Sequence, residues 1–301
     1  MKTVIENLEE KSLQIQDLLR QLLLEHSSIY LLNRNDPYSR VAVISPSGSY
    51  AYKPLEIQGR QIQSQVLEEY RKLFSVISIL LHEQPKSVLS ELQKTDSVIT
   101  RIIEQRHTWN DNIQKEYEQV TEMFSKQIQI LDNLYSPAAG DIIYVPDTNA
   151  LLYNHDLQNW EFEDNTPFIL VLLPVVLREL DELKMKHNNP DIRSKSESLI
   201  RQIKEFRRRG KLTEGVTLSG KNKVLSVAVE PDVNSSLPWL KPDNNDDQLI
   251  ASTLEVMRMR PRSIVVSVSR DINFQNKAEF ANMPFIEPPE PKQKETIQSV
   301  E

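Results

Sequence analysis

Four carboxylates in the second half of the chain have the spacing and surroundings of a reactive centre. Asp147 follows the short apolar run Ile142-Ile143-Tyr144-Val145, and Asp271 follows Ser263-Ile264-Val265-Val266-Ser267-Val268. Both runs read as buried strands, and in an open parallel sheet ligands bind beyond the carboxyl ends of the strands. Glu179 stands in Leu177-Arg178-Glu179-Leu180-Asp181-Glu182-Leu183-Lys184, a helix that follows the strand-like run Phe168 to Leu173. Asp246 opens a helix within Asn244-Asn245-Asp246-Asp247-Gln248-Leu249. Each has an ordinary alternative: Asp147 and Asp246 suit helix caps, Asp271 a turn, and Glu179 a solvated helix face. Together at one sheet edge they would repel one another strongly unless protonated or neutralised, which makes sense as a divalent-cation site.

The rest of the composition narrows the cation. There are no cysteines, and the five histidines (His26, His82, His107, His155, His187) show no close paired spacing. Disulfides, thiolate zinc sites and a cysteine nucleophile are thereby excluded, and an oxygen-rich site favours Mg²⁺ or Mn²⁺ over zinc. Six glycines in all leave no Gly-rich loop of the P-loop type. A net charge of −7 argues against a nucleic-acid coat protein, though a carboxylate cluster contributes negative charge itself and bound cations reverse its local sign.

The elements that position these residues divide the 301-residue chain, of which 39% is hydrophobic, into two halves. From Thr3 to Leu134 apolar residues recur at helical spacing among Gln, Glu and Lys, as in Ile57, Ile62, Val66, Leu67, Tyr70, Leu73 and Phe74. This half, residues 1–135, predicts an α-helical domain with a β-hairpin formed by Arg40 to Tyr52 around Pro46-Ser47-Gly48, and no chemistry. Ser136-Pro137-Ala138-Ala139-Gly140 breaks the pattern. Beyond it, strands alternate with helices from 141 to 287, the grammar of an α/β parallel sheet flanked by helices. The tail 288–301, rich in Pro, Lys, Glu and Gln, is expected to be disordered. No apolar run is long enough to span a bilayer, and the N-terminus turns acidic before a signal core forms, so the chain is expected to be soluble and cytoplasmic, with no membrane partner.

Four segments taken in order resemble the motifs of PIN-domain nucleases: Val-Pro-Asp147-Thr-Asn-Ala-Leu-Leu, Val-Val-Leu-Arg-Glu179-Leu-Asp-Glu-Leu-Lys, Asn-Asp246-Asp-Gln-Leu-Ile-Ala-Ser, and Val-Ser-Val-Ser-Arg-Asp271-Ile-Asn-Phe-Gln-Asn-Lys-Ala. The last departs from the family's usual Thr-Asn-Asp. The resemblance covers residues 141 to 287 and stops short of the helical half. It implies a compact parallel sheet between helices and phosphodiester hydrolysis with Mg²⁺ or Mn²⁺. It also implies Asp147 as central ligand, with Glu179, Asp246 and Asp271 completing the coordination. Glu179 fits the family frame better than Glu182, and Asp246 better than Asp247, which is left as an assistant. Thr148 and Ser269 are candidate supporting hydroxyls, and Asn149 and Asn273 polar helpers; local turn capping would explain them equally well.

The family acts mostly on RNA, so RNA or another single-stranded nucleic acid is the implied partner. Lys204, Arg207, Arg208, Arg209 and Lys211 form one basic run, Arg258, Arg260 and Arg262 a second, and Lys184, Lys186, His187, Arg193 and Lys195 a third. They suit phosphate contacts, and they equally suit helix C-terminal ends. Two other readings stay open: a module that keeps the fold and binds RNA or protein without cleaving, and a toxin of a toxin–antitoxin pair. The helical half is a candidate surface for a protein partner or self-association.

Overall fold

The computed structural model of the protein describes residues 3–31, 50–135, 140–162, 166–228, 230–260 and 262–292. The chain forms two compact units, one of residues 5–136 and a second comprising residues 137–301 with the first four.

The first unit is helical. Helices α1 (Val4–His26), α2 (Ile57–Leu81), α3 (Lys86–Ile103) and α4 (Ile113–Tyr135) bury the apolar stripes their spacing predicts. Leu8, Leu19, Leu22, Leu23, Leu73, Ile77, Ile99 and Leu131 are fully enclosed. Ile57 departs from that pattern: it opens α2 on the outward side and is 70% exposed, while Gly59 in the same turn is buried against Leu55 and His26. Two polar networks run through the interior. Gln127 donates to Tyr70 Oη and to Thr95 Oγ1, both at 3.0 Å. Glu116, with no solvent-exposed surface, accepts from Tyr52 Oη at 2.6 Å, from Asn110 Nδ2 at 2.7 Å and from the Thr108 hydroxyl, with Arg101 at 3.4 Å. A buried carboxylate needs such a set of donors. Strand β1 (Ile29–Leu31) pairs antiparallel with β2 (Tyr50–Tyr52), Tyr30 facing Ala51. The end of the expected hairpin, Tyr50–Tyr52, therefore pairs with a segment before the predicted turn; the turn itself and its first strand lie outside the described residues.

The second unit is a six-stranded sheet between helices. Its strands are β3 (Ile142–Pro146), β4 (Phe168–Leu172), β5 (Val216–Ser219), β6 (Asn222–Ser226), β7 (Ile264–Val268) and β8 (Phe285–Ile286), in the order β5-β6-β4-β3-β7-β8. All neighbours are parallel except the β5–β6 hairpin, whose turn places Gly220 at φ 54°, a conformation that favours glycine. The central strands β3 and β4 are apolar along almost their whole length, as expected of strands covered on both faces. The two-residue β8 carries no periodic signal and is invisible in the sequence. Gly140 crosses Arg262 so closely that a Cβ would lie 1.4 Å from the Arg262 carbonyl oxygen.

Connecting helices are α5 (Thr148–Tyr153), α6 (Pro174–Lys186), α7 (Pro190–Arg209), α8 (Asn245–Met259) and α9 (Ile272–Phe280). Pro174 and Pro190 each occupy a first turn, where a missing N–H costs nothing. The tail expected to be disordered from Pro288 is held as far as Lys292. Asn154 Nδ2 donates to Pro289 O at 3.0 Å, the Tyr153 hydroxyl to Glu290, and Lys292 pairs with Glu161 at 2.8 Å. Residues 293–301 lie outside the described residues. Among the described residues no helix is long and apolar enough to cross a membrane.

Candidate functional site

The carboxyl end of β3 sits between β4 and β7, and Asp147 is its next residue. Its N–H continues the ladder to Val268 O at 3.0 Å. One carboxylate oxygen caps α5, accepting from the Ala150 N–H at 2.6 Å; the other accepts from the Ser269 hydroxyl, which in turn accepts from the Asp271 N–H at 3.0 Å. Asp147 is thus both a helix cap and a buried acid at a sheet switch point, only 7% exposed. Burial pushes its carboxyl up to about 6; the bonds from Ser269 and the Ala150 N–H pull the other way, and the charges of Asp271 and Asp246 add to the rise.

A cleft of about 400 Å³ opens at this point. Asp147, Glu179 and Asp246 line it together, with Thr148, Asn149, Glu182, Asn245, Lys186 and His187 among the other walls. Glu179 is fixed from two sides, accepting from the Thr148 hydroxyl on one oxygen and from Asn245 Nδ2 on the other. Asp246 is not a cap: Asn244 caps α8, its Oδ1 accepting from the Asp247 N–H at 3.2 Å. Asp246 is instead paired with Lys277 of α9 at 3.3 Å.

Two acids do other work. Asp247, 4% exposed, turns away from the cleft, accepts from the Lys241 N–H at 2.9 Å and pairs with Lys277 at 2.8 Å. Asp271 caps α9, accepting from the Asn273 and Phe274 N–H groups at 2.7 and 3.4 Å. It reaches the centre through its charge on Asp147 and through Ser269, and does not line the cleft. Four carboxylates expected at one sheet edge therefore become three in the cleft and one beside it. Among the described residues, no group of three or more Asp, Glu and His side chains is drawn close enough to hold a metal ion. The physical reason is their mutual repulsion: each acid turns to a hydrogen-bond donor or a lysine and away from the other acids. The donor set of the cleft wall, carboxylates with the amides of Asn149 and Asn245, is nonetheless of hard oxygen type and fits Mg²⁺ or Mn²⁺.

Of the basic candidates, Lys186 and His187 line the cleft, while Lys184, Arg193, Lys204, Arg207, Arg208 and Arg209 do not. Arg193 closes the end of α6, donating to His187 O at 2.6 Å. Arg209 lies over the Phe206 ring at 4.8 Å and Arg208 pairs with Glu205 at 3.4 Å, while Lys204 and Arg207 are exposed. The Asn189 N–H donates to His187 Nδ1 at 3.1 Å, so the neutral ring carries its proton on Nε2. Asn149 lines the wall, and Asn273 contributes its N–H to the Asp271 cap. Sequence reasoning missed Lys277 and Asn245. Lys277 carries no signal of its own beside a residue 31 positions earlier, whereas Asn245, directly before Asp246, was within reach as a helix-start polar residue.

Residues 144–287 match the family model described as the PIN domain. This half of the chain is a PIN domain. The match runs from the middle of β3 to the residue after β8 and takes in all four acidic residues. No curated protein matches the chain. PIN domains are generally nucleases and typically use divalent metals, which agrees with the oxygen-lined cleft of this PIN domain.

Proposed function

We propose that the PIN domain hydrolyses phosphodiester bonds of RNA, as an endonuclease, with Mg²⁺ or Mn²⁺ held by Asp147, Glu179 and Asp246 and with Asp271 acting from beside them. The observation that carries this reading is Asp147: a carboxyl buried at the end of the central strand, held near 6 by that burial, in one cleft with Glu179 and Asp246. Such a group is costly to the fold, and strongly perturbed acids in clefts cluster at functional sites. When bound, the cation supplies an acidified water and stabilises negative charge on the phosphate oxygens.

The chain's own residues do the rest. Ser269 and the Ala150 N–H hold Asp147 in one orientation, each using one lone pair on a different oxygen and leaving the other on each oxygen for a cation. Thr148 and Asn245 do the same for Glu179. Fixed ligands cost no reorganisation when charge develops. Lys186 and His187, on the same wall, offer N–H donors to a phosphate backbone. The open cleft admits an internal stretch of strand, which supports endonucleolytic action.

The test is cleavage of a labelled single-stranded RNA by the full chain in Mn²⁺, with EDTA and Asp147→Asn as controls. Cleavage should require the metal and fall by at least about a hundredfold in the variant. Unaltered cleavage by Asp147→Asn would sink the assignment. A module that binds RNA without cleaving it is favoured by the donors already on Glu179 and Asp246, and folded protein that binds RNA but neither Mn²⁺ nor cleaves would establish it instead.

A further inference from the structure

Lys277 stands inside the acidic cluster. Its ammonium lies 3.3 Å from Asp246 Oδ2, 2.8 Å from Asp247 Oδ1 and 3.2 Å from Asn244 Oδ1. The two partners differ. Asp247 is enclosed and also anchors the Lys241 N–H, so its charge needs a fixed counter-ion. Asp246 lines the cleft and is more than a third exposed on its side chain, so its contact with Lys277, a hydrogen bond at 3.3 Å, is the longer and the more solvent-screened, whereas the 2.8 Å contact with Asp247 is an enclosed ion pair. Asn244, which caps α8, holds the lysine from a third side. Three oxygens, from Asp246, Asp247 and Asn244, hold the ammonium in place, and a lysine ammonium has only protons to offer them.

We propose that Lys277 is the resident counter-cation of the cleft, a positioning residue that competes with a divalent ion for Asp246 while remaining anchored on Asp247. The inference rests on the metal-dependent reading of the cleft. With Lys277 in place, the metal-free cluster carries less net charge and folds without its cation. A divalent ion entering beside Asp147 and Glu179 must draw Asp246 off the ammonium, and the cleft therefore binds metal more weakly than its acids alone would. The lysine need not leave: the 2.8 Å contact to Asp247 keeps it within one side-chain rotation of Asp246. The same cation that lowers metal affinity also keeps the acids from driving the α8–α9 contact apart when the metal is absent.

The experiment is a titration of the full chain with Mn²⁺ alone, followed by calorimetry and by the electron-spin signal of free Mn²⁺. It compares wild type with Lys277→Gln, which keeps a donor for Asp247 but no charge, and with Lys277→Arg, which keeps the charge. Thermal unfolding of each is recorded with and without Mn²⁺. The proposal expects Lys277→Gln to bind Mn²⁺ about fivefold or more tightly, the low end of typical coupling between sites. It also expects that variant to melt earlier without metal and to gain more from Mn²⁺ than wild type, and Lys277→Arg to behave as wild type. Unchanged or weaker Mn²⁺ binding in Lys277→Gln would overturn it, since a merely structural lysine would lower the melting temperature equally with and without metal. If Lys277→Gln proves unfolded, Lys277→Met is titrated under the same criteria. Wild type that binds no Mn²⁺ separates the two ideas: binding that appears in the neutral variant supports the counter-cation, and its absence there too overturns both this inference and the metal-dependent reading.

Discussion

Asp147 stores a conflict between stability and chemistry. Its folded-state carboxyl is held near 6, against 3.8 for an aspartate free in water. Because the folded value is the higher one, the folded state binds the proton more tightly. The stability from this group is complete below about pH 4 and is lost as pH rises through about 6. By neutral pH the ionised Asp147 costs the metal-free fold about 3 kcal/mol. Asp147→Asn should therefore raise the melting temperature of metal-free protein at pH 7 to 8 and flatten its dependence between pH 4 and 6, as thermal unfolding over a pH series would read. The same acid must be ionised to hold a cation, so Mn²⁺ binding by wild type should fall away below about pH 6. Ser269 belongs to the same balance. Its hydroxyl lowers the Asp147 value, so Ser269→Ala should move the acid limb of the cleavage profile to higher pH, and at neutral pH reduce the rate by about 10- to 100-fold. An acid limb left in place would remove Ser269 from the site.

Elements act here through their ends. β3 delivers Asp147, α6 delivers Glu179 in its second turn, and α8, capped by Asn244, delivers Asp246 in its first. The close crossing of Gly140 over Arg262 sets the start of β3 against β7. Gly140→Ala must shift one of the two backbones, and should destabilise the PIN domain by about 1–3 kcal/mol, the usual cost of overpacking; calorimetry of the full chain would show it. In the helical unit, Glu116 ties β2, the loop before α4 and α3 to one buried carboxylate. Glu116→Leu leaves Tyr52, Asn110 and Arg101 without their partner and should cost about 3 kcal/mol, seen as an earlier unfolding transition. A transition that stays in place would mean that the network carries no net stability. Helix periods and apolar strands of this kind are legible in the amino-acid order alone, because each repeats a local pattern over many residues. β8 is not, since two residues contain no period, and neither is the pairing of Tyr50–Tyr52 with Ile29–Leu31, which joins segments well separated along the chain.

For the molecule as a whole, charge decides where a nucleic acid meets it. The net charge is −7, and the cleft itself is acidic, so an RNA strand must be met by local cations. Lys186 stands on the cleft wall, whereas Lys204 and Arg207 stand at the far end of α7. Lys186→Ala should weaken RNA binding across sequences and lower the slope of log affinity against log salt by about 0.7, the value for one single-strand phosphate contact; filter binding over a salt series reads it directly. A slope that does not change places the strand elsewhere. What could be read from the amino-acid order was the set of local facts: an acid after each of two buried strands, an acid in each of two helices, absence of thiols, and a helical half before an α/β half. These depend on neighbours a few residues away, and short-range periodicity and turn chemistry report them well. What required the folded chain was the sharing of partners across long separations. Thr148 and Glu179, Ser269 and Asp147, and Lys277 and Asp246 are 31, 122 and 31 residues apart. Which acid faces the cleft and which caps a helix depends on these contacts, because at a carboxyl-rich sheet edge each side chain turns toward the nearest donor, and only the packing of β3, β7, α8 and α9 determines which donor is near.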